Sequence, residues 1–160
     1  MSRNIGELES ALGVRLLTRT TRKLTLTDAG VEVEELDLQR GDWDQNRGQE
    51  IASNDLSQFG DKVEVIFCNN DAMALGALEA VKAAGRTVGE DIYVVGVDAL
   101  ADAVAKVASG EMTGTVLNDA TGQATKAVEI MEKLLSGETV DSQNYVDYVK
   151  VTLDNVADYQ

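Results

Sequence analysis

The chain of 160 residues, 44% hydrophobic and 26% charged, has room for one compact domain with a small appendage. Its formal net charge of −14 argues against a protein that binds nucleic acid over its whole surface. Because the chain has no histidine, a Ser-His-Asp triad, a Cys-His pair and most zinc sites are excluded.

The other residue types do not suggest an enzyme. Cys68, the single cysteine, falls in an apolar run and is interpreted as a small core residue rather than a nucleophile. No general base or metal-ligand cluster stands out, so we expect no enzymatic activity and no cofactor. No apolar run reaches the length of a membrane span and no signal peptide opens the sequence, which as written predicts a cytoplasmic protein without membrane insertion.

Residues 1–30 differ in charge from the rest of the chain. They carry five basic and three acidic side chains, a net charge of +2, which leaves −16 for the other residues. Apolar residues at helical spacing predict a helix over residues 4–12. Two apolar runs, at residues 14–17 and 24–27, then predict strands on either side of a basic loop, a β-hairpin of the winged type.

Short motifs in this segment carry a resemblance to a known family. They are Ser2-Arg3, Leu8-Glu9, Leu12-Gly13-Val14, Leu16-Leu17, Arg19-Thr20, Arg22, Leu24, Leu26-Thr27 and Ala29-Gly30. Together they resemble the end of the winged helix-turn-helix of LysR-type regulators, which implies a remnant DNA contact through Arg3, Arg19 and Arg22. The alternative is a structural segment with an incidental basic face. We favour this alternative, and expect no nucleic-acid binding, because the helices that would support a recognition helix have no counterpart here.

From residue 31 onwards the pattern is that of an α/β domain. Residues 31–38 alternate in polarity and predict a strand near a sheet edge, and a helix then opens at residues 41–44 and ends before Gly60. Further strands are predicted at residues 63–68, 92–97, 113–117 and 144–151, the first three each followed by a helix. This alternation predicts a three-layer α/β fold, a mostly parallel sheet of flavodoxin-like order with helices on both faces.

Polar side chains and one tryptophan occupy the connections between these elements. Asn70, Asp98 and Asn118 each follow a predicted strand, and Trp43 opens the first helix. Because ligands bind beyond the carboxyl ends of parallel strands, these four residues form the candidate site. Asn and Asp side chains suit sugar hydroxyls, and an indole suits the C–H face of a sugar ring. A structural interpretation also exists, since the polar residues are good helix N-caps and the tryptophan can be a packing residue.

Five motifs in residues 31–159 carry a second resemblance: Trp43-Asp44 and the runs at residues 62–66, 69–76, 95–100 and 114–120. They resemble the C-terminal lobe of the periplasmic glucose/galactose-binding proteins of ABC sugar transport and chemotaxis. The resemblance implies that Trp43 stacks on a pyranose ring and that Asn70, Asp98 and Asn118 bond its hydroxyls. Glu64 matches a carboxylate that completes a calcium site in that family. Because the calcium loop has no counterpart here, we expect Glu64 to be a solvated strand residue.

The two resemblances meet near Asp28-Ala29-Gly30, which predicts two segments, residues 1–30 and 31–160, and suggests a chimera. The first strand of the sugar-binding lobe, central in its sheet, has no counterpart upstream of the second segment. We expect residues 14–17 or 23–27 to fill the gap, or a second copy of the chain to fill it. Either residues 27–30 make a tight turn between strands at residues 24–26 and 31–36, or strands exchange between two copies, which predicts a homodimer.

The sequence therefore predicts a non-enzymatic hexose-binding lobe of the glucose/galactose type, with a monosaccharide as its partner and a periplasmic parent family. Binding is expected to be weak or absent, because a single lobe cannot enclose the sugar as a closed cleft does. Two alternatives stay open. One is a transcriptional regulator with a DNA-binding N-terminus and a sugar-sensing domain, and the other is an artificial recombinant with no retained activity.

Overall fold

A computed structural model of the chain describes residues 24–25 and 32–160. The strands, in chain order, are β1 (Leu24–Thr25), β2 (Glu32–Val33), β3 (Val65–Phe67), β4 (Tyr93–Val95), β5 (Thr115–Leu117) and β6 (Val149–Val151). The helices are α1 (Gln45–Phe59), α2 (Asp71–Ala83), α3 (Ala101–Ala108) and α4 (Ala120–Leu135), with short 3₁₀ helices at Gly60–Lys62 and Val156–Tyr159. The predicted helix at residues 4–12 and the predicted strand at residues 14–17 lie outside the described residues.

Strands β3 to β6 lie side by side in chain order. β3 and β4 run parallel, with Ile66 opposite Val94. β4 continues to β5 through isolated parallel bridges, among them Val95 with Gly114, and β6 closes this edge antiparallel to β5. The α/β class and the mostly parallel sheet predicted from the repeating strand–helix units are therefore confirmed.

Every strand predicted from residue 31 onwards is shorter than its sequence pattern indicated, and the first and last of them lose the most residues. The strand predicted over residues 31–38 exists only at Glu32–Val33, where it pairs antiparallel with β1. The strand predicted over residues 144–151 exists only at Val149–Val151. Within the described part of the chain, the remaining residues of both segments pair with no strand. Without a partner for its N–H and C=O groups, a favourable pattern does not produce a strand.

The predicted gap beside β3 is not filled by the residues just before β2. Leu24 pairs with Val33, so β1 forms a two-stranded ladder with β2 instead of joining β3. In the part of the chain that the structure describes, β3 is bonded only to β4. The predicted pairing of residues 24–26 with residues 31–36 is therefore confirmed at Leu24–Thr25. The prediction that residues 23–27 complete the main sheet is wrong for these two residues, because β2 already uses their backbone groups.

One face of the sheet is fully packed. Helices α1, α2 and α3 all contribute apolar side chains to a single core on the inner side of β3 and β4. Val81, Val94 and Val107 are each no more than 2% exposed. Burial of one such side chain stabilises a fold by roughly 1.5–3 kcal/mol, so this face is the main source of stability in the described residues.

Helices α1 and α2 approach until their backbones touch. A Cβ atom added at Gly76 would meet the carbonyl of Gln45 and stand 2.9 Å from the backbone nitrogen of Gln49. A Cβ atom added at Gly48 would stand 2.7 Å from the Cα of Met73. Only glycine fits both positions, and the contact holds the first turns of the two helices side by side.

The C-terminal end of α2 is bonded to the segment that precedes β3, at the end of the sheet away from the start of α2. Gly85 adopts a left-handed φ of +74°, and the N–H of Arg86 donates to the carbonyl of Val81 at 3.1 Å. A glycine in this left-handed conformation ends the helix and lets the next N–H bond back to a carbonyl of its last turn. The guanidinium of Arg86 then donates to the carbonyl of Val63 at 2.8 Å, which anchors the start of the β3 segment.

No helix among the described residues covers the other face of the sheet over β3 and β4, which is called the open face below. Val65, Phe67 and Tyr93 share this face and are 55%, 46% and 44% exposed. Helix α4 has no buried residue, although it carries exposed apolar side chains such as Met131. No helix of the described ranges, α4 included, is long and apolar enough to cross a membrane.

Candidate ligand-binding site

The four predicted site residues lie at one edge of the sheet, beyond the carboxyl ends of its parallel strands. Asn70 directly precedes α2, Asp98 lies between β4 and α3, and Asn118 follows β5. Trp43 precedes α1, and its backbone carbonyl accepts a hydrogen bond from the Asn70 amide at 3.2 Å. The parallel strand order brings these connections to the same edge, as predicted.

Trp43 projects from a tight left-handed turn. The φ angles of Asp42 and Trp43 are +51° and +64°, in a region that residues other than glycine rarely adopt. The N–H of Asp44 closes the turn on the carbonyl of Gly41 at 3.0 Å, and the Asp44 carboxylate caps α1 through the N–H of Arg47 at 2.9 Å. Trp43 is 60% exposed, so the ring is not packed among the described residues and can stack on a ligand.

Asn70 has the capping role that its position allowed. Its Oδ1 accepts a hydrogen bond from the N–H of Met73 at 2.9 Å, while its Nδ2 donates to Trp43. An amide has a second N–H and a second oxygen lone pair, so these two bonds leave capacity for a ligand. Asn70 can therefore hold the Trp43 turn and bind a sugar hydroxyl at the same time.

Asp98 is not a helix cap, contrary to the structural interpretation of its position. α3 starts at Ala101, and the preceding Leu100 provides no side-chain cap. The carboxylate of Asp98 is half-buried on a backbone with φ of +117°. Burial raises the pKa of Asp98, and a hydrogen bond from the Asn118 side chain lowers it in part. This carboxylate is therefore a charged acceptor that the helix does not use.

Asn118 is not a helix cap either. The neighbouring Asp119 caps α4, with its Oδ1 accepting from the N–H of Gly122 at 2.8 Å. The Oδ1 of Asn118 accepts instead from Nε2 of Gln123 at 2.6 Å, which leaves the two N–H groups of the amide for other acceptors. Sequence reasoning missed Gln123, because a polar residue in the first turn of a helix is ordinarily solvated.

Asp71 is a second residue that the sequence did not identify. Its place in the first turn of α2 suggests a solvated acid, yet it is completely buried. Its oxygens accept hydrogen bonds from Oγ1 of Thr115 at 2.6 Å and from the N–H of Leu100 at 2.8 Å. Burial raises the pKa of Asp71, and these two hydrogen bonds lower it. The only feature of the sequence that could have indicated this burial is Gly96, just after β4. A Cβ atom added at Gly96 would meet the Asp71 carboxylate.

Two other candidate residues take no part in this site. Glu64 is exposed at the amino end of β3, opposite the edge that carries Asn70. Among the residues with described side chains, no group of three or more His, Cys, Asp or Glu could hold a metal ion. Burial raises the pKa of Cys68 to about 12, with a smaller contribution from the charge of Asp71, so its thiol stays protonated and unreactive.

The candidate DNA contacts Arg3, Arg19 and Arg22 lie outside the described residues. Comparison with known proteins bears on that segment in another way. Residues 16–139 match the family described as periplasmic binding protein domain. The match starts ahead of the predicted junction at residues 28–30, and it gives no support to a LysR-type segment or to a chimera.

Two relatives show how much of a whole protein this chain represents. It is 34% identical to a proposed rhizopine-binding protein of Rhizobium meliloti, over 98% of the chain and 50% of the relative. It is 35% identical to the D-galactose/methyl-galactoside binding periplasmic protein of Haemophilus influenzae, over 84% of the chain and 42% of the relative. The chain thus spans at most half the length of these two relatives.

Solved structures share the fold. An ABC transporter periplasmic solute binding protein from Actinobacillus succinogenes, with bound D-allose, superimposes with a TM-score of 0.74 and 27% identity, over 81% of this chain and 45% of that one. A second ABC transporter solute binding protein, from Bacillus halodurans with bound myo-inositol, gives a TM-score of 0.64 and 32% identity, over 73% of this chain and 39% of that one.

Fold and sequence agree on the family. The matched family accounts for the parallel α/β architecture over most of the chain. Its relatives are described as binding proteins, in agreement with the prediction that the chain is not an enzyme. The chain belongs to the periplasmic binding protein domain family.

Proposed function

We propose that the chain is a sugar-binding lobe that takes a monosaccharide of the glucose/galactose type at the Trp43, Asn70, Asp98 and Asn118 edge. The observation that carries the proposal is the state of Asp98 and Asn118. Neither side chain caps the helix that follows it, because Leu100 and Asp119 occupy the cap positions. The side chains of Asp98 and Asn118 therefore lie beyond the carboxyl ends of the parallel strands without capping a helix.

The chemistry of these side chains fits a pyranose. The exposed indole of Trp43 offers a flat apolar surface to the C–H face of the ring. The Asp98 carboxylate accepts hydrogen bonds from two hydroxyls, and a charged acceptor forms stronger bonds than a neutral one. The amides of Asn70 and Asn118 both donate and accept, as a hydroxyl does.

The names of the relatives support a sugar ligand and do not decide between a hexose and a smaller sugar. One relative is named for D-galactose and a solved neighbour holds D-allose, both of them hexoses. A ribose import binding protein of Haemophilus influenzae is also 39% identical, over 68% of the chain and 36% of the relative. Ribose is therefore the sugar to compare with galactose and glucose.

Affinity should be low for this lobe alone. The site is open, with Trp43 largely exposed and no opposite wall within the described residues. Ligand pockets in proteins bury most of the ligand surface, and a half-site buries far less. We expect dissociation constants in the millimolar range, about −4 kcal/mol of binding free energy.

The test is a fluorescence titration, because Trp43 is the only tryptophan in the sequence. Galactose, glucose and ribose are added separately to high millimolar concentration, with mannitol as a control for viscosity and osmolarity. The proposal expects a saturable change with at least one hexose. Flat titrations with all three sugars, on protein shown to be folded by circular dichroism, would contradict it.

A pair of variants assigns the signal to the site. Asp98→Asn removes the charged acceptor and should weaken hexose binding about tenfold or more, since a hydrogen bond to a charged group contributes roughly 1.5–3 kcal/mol. Asp102→Asn makes the same chemical change on the exposed surface of α3 and should leave binding unchanged. Equal affinities of the two variants would remove Asp98 from the site.

The wider role is part of the same proposal. We infer that the whole protein takes part in ABC sugar transport in the periplasm, as the names of its relatives suggest. The predicted cytoplasmic location depends on where the sequence begins and stays a prediction. The regulator alternative rests on arginines outside the described residues, and the comparisons favour neither it nor a recombinant without activity.

We also propose that a second copy of the chain covers the free edge of β3 by strand exchange. Apolar side chains on the outer face of β3 lie beside this edge, with Val65 and Phe67 about half exposed. Exposed edge strands recruit other strands, and the predicted strand at residues 14–17 is the candidate donor. Its segment carries +2 against −16 for the rest, so the charges of donor and acceptor are complementary.

Sedimentation equilibrium tests this association. We expect a dimer at micromolar concentration that dissociates as salt is raised, because salt screens the attraction between opposite charges. Phe67→Lys should shift the equilibrium to monomer. A monomeric mass at low salt would exclude the exchange.

A further inference from the structure

The loop that carries Asp98 is held in a costly conformation. Asp98 and Ala99 have φ angles of +117° and +55°, and neither is glycine. Such backbone conformations are costly for L-residues and persist only where neighbouring groups fix them. The bonds that fix this loop therefore decide where the Asp98 carboxylate lies.

The N–H of Asp98 donates to the carbonyl of Val116 at 2.8 Å, and the next two N–H groups are bonded by the side chains of Asp71 and Thr115, which belong to other elements. Oδ2 of Asp71 accepts from the N–H of Leu100 at 2.8 Å, and Oγ1 of Thr115 accepts from the N–H of Ala99 at 3.3 Å. The hydroxyl of Thr115 donates in turn to Oδ1 of Asp71 at 2.6 Å. The two residues form one unit that satisfies both N–H groups immediately after Asp98.

This unit replaces the cap that α3 lacks. Leu100, at the N-cap position of α3, has no polar side chain to accept from a first-turn N–H. A carboxylate from α2 stands there instead, and negative charge at a helix N-terminus is favourable. Both Asp71 and Thr115 are at most 1% exposed, so neither can touch a ligand.

The sheet leaves space for the carboxylate at Gly96. A Cβ atom at this position would overlap Oδ1 of Asp71 and would also lie 2.9 Å from Cε of Met112. Gly96 follows β4 and comes two residues before Asp98. Strand, helix and loop are thus fitted around one buried acid.

We propose that Asp71 and Thr115 are positioning residues that hold Asp98 in its ligand-binding orientation. This inference rests on the sugar-binding function proposed above. Asp71 fixes the loop through Leu100, and Thr115 fixes it through Ala99 while orienting Asp71. The affinity for a sugar hydroxyl then depends on two buried residues that never contact the sugar.

The first test compares Thr115→Val with Thr115→Ser. Valine keeps the size of the side chain but removes the hydroxyl, whereas serine keeps the hydroxyl. By calorimetric titration with galactose we expect Thr115→Val to bind about tenfold more weakly, the effect of roughly one lost hydrogen bond. Thr115→Ser should stay within about threefold of the parent chain. Equal binding by all three proteins, or equal loss in both variants, would overturn the proposal.

The second test needs no sugar. Amide hydrogen exchange followed by NMR should show faster exchange at Ala99 and Leu100 in Thr115→Val and in Asp71→Asn. Exchange at Val107, buried later in the same helix, should be unchanged and reports that α3 is still folded. Unchanged exchange at Ala99 and Leu100 would refute the positioning role. If no sugar binds but exchange accelerates as expected, the proposed function fails and the loop-holding role stands.

Discussion

The two faces of the sheet carry similar side chains in different surroundings. On the inner face, Val94 is completely buried among residues of three helices. On the outer face, Phe67 and Tyr93 from the same pair of strands are 46% and 44% exposed. The helices differ in the same way, since α2 has seven buried residues and the longer α4 has none.

This difference shows that an apolar pattern identifies a residue that can be buried, not one that is. The unbroken apolar runs along β3 and β4 mark both faces as apolar, which is typical of parallel strands covered on both sides. Whether an apolar face is buried depends on which other elements pack against it. The binding edge is built by the covered face, because α2 and α3 begin there.

The largest effect is expected for a truncation in the packed face. Ile92→Ala removes a side chain with no solvent exposure and should lower the free energy of unfolding by about 2–5 kcal/mol. Met131→Ala on α4 removes a comparable apolar side chain from a residue that is 56% exposed, and should cost less than about 1 kcal/mol. Urea denaturation followed by circular dichroism measures both. Similar losses in the two variants would mean that α4 is packed in solution.

A somewhat smaller loss is expected where α1 meets α2. Gly76→Ala forces a methyl group against the carbonyl of Gln45, and overpacking of this kind costs roughly 1–3 kcal/mol. Gly137→Ala is the matched control, since its Cβ meets nothing and only its φ of +83° is unfavourable. We expect the lower urea midpoint for Gly76→Ala. The reverse order would show that the helices can separate.

A pH-dependent effect is expected at Asp55 on α1. Burial, with the neighbouring Asp37, raises the pKa of Asp55 from 3.8 to about 6. The folded state therefore holds this proton more tightly than the unfolded state, and the stability gained at low pH is lost as the pH rises through about 6. Asp55→Asn should raise the melting temperature more at pH 7.5 than at pH 4. An increase that is the same at both pH values would contradict the assignment.

The smallest effect on stability is expected on the open face. Phe67→Lys places a charge where the side chain is already half exposed and should change the free energy of unfolding by less than about 0.5 kcal/mol. Urea denaturation of the monomer at high salt gives this value. A loss of several kcal/mol would mean that an element from outside the described residues packs on this face.

Much of the site could be predicted from the sequence, for a local reason. Asn70, Asp98 and Asn118 each follow a short apolar run, and parallel strands end at a common edge whatever packs around them. Their roles were harder to predict. The capping role of Asn70 was right, whereas the cap positions of α3 and α4 belong to Leu100 and Asp119. A cap depends on the turn at which a helix starts, and a shift of one or two residues changes its identity.

The sequence by itself determined the order of the elements, the parallel sheet and the edge at which the site lies. These follow from hydrophobic period and from helix start and stop residues, which act within about ten positions along the chain. The tertiary structure alone decided that Asp71 is buried and that Thr115 bonds to it from 44 residues away. These are contacts between distant residues, and local patterns do not contain them. The burial of a residue is decided by the elements that pack over it.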